Sequence, residues 1–211
     1  MVTARHPQLR RLHGTDAPHR GGRPRSAEAD QAIVDATLDL IAEEGINALS
    51  VEAVAVRAGV GKATIYRRWP CKEALVEAAL GRMNDSLSPA PVEGPLRDRL
   101  VVLVDEIRCK SGETHGGRIL PRMLAYGASH PELFEMFYRQ VITPRRARFQ
   151  AVLTDAIASG ELPPDTDVDL AVTLLAAPML YLNMMQSAAG APEPRTSESL
   201  VDSVLQGLRP R

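Results

Sequence analysis

Apolar positions recur at helical spacing along most of the chain. Ile33, Ala36, Thr37, Leu40 and Ile41 mark one face of a first helix, which the pattern starts at a Ser26 cap and stops at Gly45, with Glu28 and Asp30 near its positive end. A second long stripe (Leu75, Val76, Ala79, Leu80, Met83) predicts a helix from Lys72 to about Leu87. The Pro-rich run SPAPVEGP then breaks the pattern and divides a domain at 26–87 from one at 95–211. In the second domain the spacing predicts helices over 96–110, 118–129 and 132–159, with Pro121 interrupting the second early and Pro144 kinking or splitting the third. Residues 167–187 are apolar on nearly every side, which predicts a helix buried all round, and Leu200, Val201, Val204, Leu205 and Leu208 mark a last helix. Abundant Ala, Leu, Glu and Arg agree with an all-α fold.

Between the first two long helices lies a shorter pattern, LSVEAVAVRAGVGKATIYRRWPCKEAL (residues 49–75). Ser50 is placed to cap a short helix with Glu52 at its dipole-positive end, and Val51, Val54, Ala55 and Ala58 form its buried stripe. Gly59 falls where the chain must leave the helix in left-handed dihedrals. A second short helix opens at Gly61 with Ile65 and Trp69 facing inward, so Lys62, Ala63, Thr64, Tyr66, Arg67 and Arg68 face outward. Small residues and a threonine can approach base edges, while Tyr, Arg and Lys donate to phosphates or guanine. The pattern is a helix-turn-helix with a recognition helix.

The run Ala58-Gly59-Val60-Gly61-Lys62-Ala63-Thr64-Ile65-Tyr66-Arg67-Arg68-Trp69, followed by Lys72-Glu73-Ala74-Leu75, resembles the DNA-binding domain of the TetR (tetracycline-repressor-like) family over about residues 28–80. Where Gly61 stands the family often has Ser, and where Cys71 stands it has Ser, Asn or Asp. The resemblance implies a homodimer on a palindromic double-stranded operator, released by a small molecule held in the C-terminal helical domain. The implied DNA-contacting set is Ser50, Gly61, Lys62, Ala63, Thr64, Tyr66, Arg67, Arg68 and Lys72. Arg23 and Arg25 join it as a basic arm reaching the neighbouring minor groove.

Charge distribution supports that polarity. Residues 1–25 hold six arginines against Asp16, a net +5 that leaves the remainder of a −1 chain at −6. Their Pro, Gly and Arg content predicts a flexible arm and provides no apolar signal segment. Cys71 and Cys109 lack metal-ligand spacing, and no apolar stretch is long enough to span a bilayer, so a cytoplasmic protein without cofactor is expected.

Other chemistries fit poorly. A phosphate-binding loop at Gly59–Thr64 would put its first glycine on Val56 and its Ser/Thr on Ala63. Glu113, His115 and His130 have no ligand spacing, and no nucleophile elbow or dinucleotide fingerprint occurs. Arg139, Arg145, Arg146 and Arg148 read as a solvated helix face. An enzyme or ligand carrier with an incidental helix-turn-helix, or an activator, are the alternatives. For the effector, a largely apolar pocket is expected from Leu103, Ile107, Met123, Tyr126, Phe134, Phe137, Tyr138 and Met179. The helix at 167–187 and the last helix, with Leu175 and Leu205, are expected to form a four-helix dimer interface.

Overall fold

The computed structural model describes residues 25–85, 87–109, 115–127, 129–185 and 196–208, and every regular element among them is helical. Helix α1 (Arg25–Glu44) starts ahead of the expected cap, so Ser26 lies within its first turn. Helices α2 (Val51–Ala58), α3 (Lys62–Tyr66) and α4 (Lys72–Arg82) follow. The last of these ends short of Leu87 in tight turns, in which Met83 N–H donates to Leu80 and Asn84 N–H to Gly81.

The second region comprises α5 (Leu96–Cys109), α6 (His115–Gly127), α7 (Pro131–Phe137), α8 (Thr143–Ala158), α9 (Val168–Met185) and α10 (Ser197–Leu208). Pro121 does not interrupt α6; burial of Ile119 and Met123 on either side of it offsets the one backbone hydrogen bond it removes. Pro144, as expected, goes with a break in the 132–159 helix, lying in the first turn of α8 apart from α7. Residues 138–142 between α7 and α8 form a widened π turn, in which Thr143 N–H donates to Tyr138 O. The chain thus absorbs the proline by changing pitch.

Two apolar clusters hold the molecule together. The first joins Ile33, Leu40 and Ile41 of α1, Val54 of α2, Ile65 of α3 and Leu75, Val76 and Leu80 of α4. It also takes in Ile119, Met123, Phe137 and Val141, so the core of the helix-turn-helix region is completed by α6, α7 and the π turn. The second cluster joins α5, α8, α9 and α10 through residues including Leu100, Leu153, Leu175 and Val201. Beside it the buried Arg99 reaches Asp155 at 2.5 Å and Glu161 at 3.4 Å. Helix α9 departs from the all-round burial its composition suggested. Ala171, Val172, Leu175 and Met179 are buried, whereas Leu170, Leu174 and Tyr181 are exposed within the single chain.

The turn after α2 has a single conformational requirement. Gly59 adopts φ 65° and ψ 33°, its N–H reaches Val56 O at 3.2 Å, and Val60 N–H reaches Ala55 O at 3.0 Å, the paired bonds of a Schellman motif. Gly61, at φ −78° with open space around its Cα, has no such need. Gly59→Ala is therefore expected to lose about 1 kcal/mol in urea denaturation, while Gly61→Ala changes stability by less than about 0.5 kcal/mol.

Candidate nucleic-acid interface and its link to the second region

Ser50 Oγ accepts from Ala53 N–H at 3.1 Å and thereby caps α2. It is half-buried in that role. Beyond the Gly59 turn, α3 is anchored by Ile65, which is 1% exposed, and by the half-buried Trp69, whose N–H closes the last turn onto Ile65 O at 2.9 Å. That anchoring turns Lys62, Ala63, Tyr66 and Arg67 to solvent, with Thr64 half-buried beside them. Gly61 and Cys71 occupy the N-cap positions of α3 and α4 without side-chain cap bonds, and Lys72 is the first residue of α4.

The cations of this face differ in how they are held. Lys62 Nζ lies 2.9 Å from Glu52 Oε1, a hydrogen bond that raises the lysine pKa and lowers that of the glutamate. Arg68 turns back to Asp30 of α1 at 2.6 Å, so its guanidinium ties the end of α3 to the domain core. Arg67 and Lys72 make no ion pair among the described residues, which leaves their charge available to an anionic partner. Arg23 and the remainder of the basic arm lie outside the described residues. Arg25 is the first residue of α1.

The far end of α4 is fastened to the π turn. Pro144 has no N–H for the carbonyl of Gln140, four residues earlier, and Asn84 Nδ2 donates to that carbonyl at 2.8 Å. Arg145 Nε donates to Asn84 Oδ1 at 2.9 Å, and its Nη2 to Met83 O at 3.2 Å. One turn earlier on α4, Glu77 accepts from Arg139 at 2.9 Å and from Gln140 at 2.8 Å, bonds that hold its carboxyl below the ordinary 4.5. Near α1, His115 Nε2 meets Asp39 Oδ1 at 2.8 Å, and Arg122 donates to Glu43 O at 2.9 Å. His115 and His130 thus serve separate contacts, the latter beside Asn47, and Glu113 lies outside the described residues.

The expected solvated face of arginines holds only for Arg139; Arg145, Arg146 and Arg148 are half-buried, and all four are engaged. Arg139 binds Glu77, Arg145 binds the end of α4, Arg146 reaches Asp169 at 3.4 Å, and Arg148 forms a paired contact with Glu106 at 2.5 and 3.0 Å. Their partners lie 23 to 62 positions away, so spacing within the helix carried no sign of them.

The residues expected around an effector fall into two groups. Leu103 and Met179 are buried in the second cluster with Ile107 packed against it, whereas Met123 and Phe137 are buried in the first. Phe134 and the exposed Tyr138 stack obliquely at 6.4 Å, and the Tyr126 side chain lies outside the described residues. Met179 also lines an open groove of about 310 Å³ between α9 and α10, with Pro178, Leu182, Ser199, Leu200 and Ser203.

Residues 33–79 match the model of the bacterial regulatory proteins of the tetR family, and residues 90–204 match that of the tetracyclin repressor-like C-terminal domain. The chain belongs to the tetR family. An HTH-type transcriptional regulator of Mycobacterium bovis is 32% identical over 182 residues, 86% of each chain. The DNA-binding transcriptional repressor TetR of Mycobacteroides abscessus is 29% identical over 150 residues, 71% of this chain and 76% of that one. Salmonella enterica GusR superposes with a TM-score of 0.69 at 22% identity, covering 88% of this chain and 97% of that one, which shows a shared fold. As a tetR-family protein the chain is a helix-turn-helix DNA-binding transcriptional regulator. No helix among the described residues is long and apolar enough to cross a membrane.

Two outcomes test this geometry. Arg67→Ala is expected to reduce the salt slope of DNA binding by about one unit without altering the melting temperature, whereas Arg68→Ala lowers the melting temperature as well. The Glu77 carboxyl has a depressed folded-state pKa, so its contribution is present above the ordinary 4.5 and is lost as pH falls through the folded value. Glu77→Gln should therefore flatten the acid limb of a stability–pH profile followed downward from the ordinary 4.5.

Proposed function

We propose that the chain is a homodimeric repressor that binds a palindromic operator through α3 and is released by a small molecule bound in its second region. The carrying observation is the outward face of Lys62, Ala63, Thr64, Tyr66 and Arg67 on a helix fixed by Ile65 and Trp69. Thr64 and Ala63 are the side chains suited to base edges; Tyr66, Arg67 and Lys72 suit phosphates. Gly61 and Ser50 would add a backbone N–H and a hydroxyl at the starts of α3 and α2, and Arg68 contributes by positioning. Arg23 and Arg25 would extend the contact into the minor groove. A relative named as a DNA-binding transcriptional repressor supports repression over activation. The cytoplasm is where such a protein would meet its DNA.

Dimerisation is assigned to the exposed stripe of α9. Leu170, Leu174 and Tyr181, 52%, 43% and 58% exposed, lie at helical spacing, and the α9–α10 groove adjoins them. Leu175, completely buried, and Leu205, packed against the second cluster, serve the subunit core instead. Two copies of α9 and α10 would form the four-helix interface and set two recognition helices about 34–36 Å apart. For the effector, an apolar body among Leu103, Ile107, Phe134, Tyr138 and Met179 remains the proposed seat, with Met123 and Phe137 bordering α4 and Tyr126 nearby in sequence.

Selection of bound sequences from random DNA tests the function directly, and recovery of an inverted repeat is expected. No enrichment would sink the reading. In sedimentation, Leu174→Glu should give a folded monomer with weakened operator binding, while Leu175→Glu should lose about 2–5 kcal/mol of stability. Asn84→Ala, which leaves the Gln140 carbonyl without its donor, should alter the effector response by more than it alters effector-free DNA binding. Equal change in both would show that Asn84 serves the fold alone.

A further inference from the structure

The π turn and α8 carry four arginines, of which the half-buried Arg145 has no carboxylate partner among the described residues. Arg139 has Glu77 and Arg146 has Asp169, but Arg145, on the turn before Arg148, donates only to neutral acceptors, Asn84 Oδ1 and Met83 O. Arg148 holds Glu106 through its two terminal nitrogens, with both side chains largely buried. Its Nε is buried and has no hydrogen-bond partner among the described residues. Among the described residues, the charges that act on Arg145 are those of Arg148 and Glu106. One carboxylate, held by Arg148, thus stands against two guanidiniums. Burial, and then the neighbouring Arg148 charge, draws the Arg145 guanidinium below its ordinary range. A planar guanidinium cannot escape this by giving up its proton at neutral pH, so the deficit is one of anion.

We propose that Arg145 and Arg148 bind the anionic oxyacid head, carboxylate or phosphate, of an amphipathic effector at the junction of α5, α8 and the end of α4. This deepens the effector reading above and rests on it. Both head groups present oxygens that a guanidinium fork can take two at a time. The site is also wired to the helix-turn-helix region. An anion that takes the Arg145 fork removes it from Asn84 Oδ1 and Met83 O, and Asn84 is the donor that satisfies the Gln140 carbonyl. Ligand and α4 thus compete for one side chain, and this competition gives the ligand different contacts in the two states.

Thermal melts of the full chain at fixed ionic strength, with sodium decanoate, decyl phosphate or decanol as the probe, test the site. Decanoate or decyl phosphate is expected to raise the melting temperature saturably, whereas decanol does not. The stronger of the two acids assigns carboxylate or phosphate. Arg145→Met should abolish the rise, and Glu106→Gln, which frees Arg148, should lower the half-saturating concentration several-fold. A merely structural ion pair would not produce that gain. Equal shifts with decanol, or an undiminished response in Arg145→Met, would overturn the proposal. DNA binding measured alongside separates the two readings: an Arg145-dependent rise with unchanged DNA affinity keeps the anion site and removes its role as effector seat, while absence of any DNA binding removes the repressor reading alone.

Discussion

A helix of five residues cannot hold its shape in water by itself, because nucleation costs more than so few backbone bonds return. Everything that α3 does for recognition therefore depends on how Ile65 and Trp69 are gripped. Ile65 is buried in the cluster built from α1, α2 and α4, and Trp69 packs against it. Arg68 adds a charged strut to Asp30. The same cluster includes Ile119, Met123, Phe137 and Val141 from beyond the Pro-rich break. The direction in which the recognition helix points is consequently a property of both halves of the chain, even though its outward-facing residues come from one short stretch.

What was legible in the sequence was local. The Ser50 cap, the Gly59 turn and the inward pair Ile65 and Trp69 follow from rules that act over four or five residues, and each stands as expected. Long-range pairings were not legible. Nothing about Asn84 signals that it will supply the donor Pro144 lacks, because the two lie sixty positions apart and asparagine fits a loop for many other reasons. The effector residues show the same limit. Leu103 and Phe137 carry equal apolar weight at helical spacing, yet one packs in the cluster of α5 and α9 and the other in that of α1 and α4. Composition likewise marked α9 as apolar all round but could not separate Leu175, which fills the subunit, from Leu174, which is exposed in the single chain.

Polar contacts fasten the end of α4 to the π turn and to α8, and this bears on how a signal can cross. A family of side chains, Glu77, Asn84, Arg139, Gln140 and Arg145, joins the end of α4 to the π turn. Each such bond contributes a net of about 0.5–1.5 kcal/mol. Exchanging two of them therefore costs about 1–3 kcal/mol, the range in which couplings between ligand and DNA sites fall. Withdrawing Met123 or Phe137 from the first cluster would instead cost about 2–5 kcal/mol for each side chain. A small molecule with ordinary differential affinity can rearrange the polar contacts and cannot open the core. In the proposed switch the apolar packing would move as a unit, and the change would be confined to the hydrogen bonds at the end of α4, where the fold already departs from regular helix.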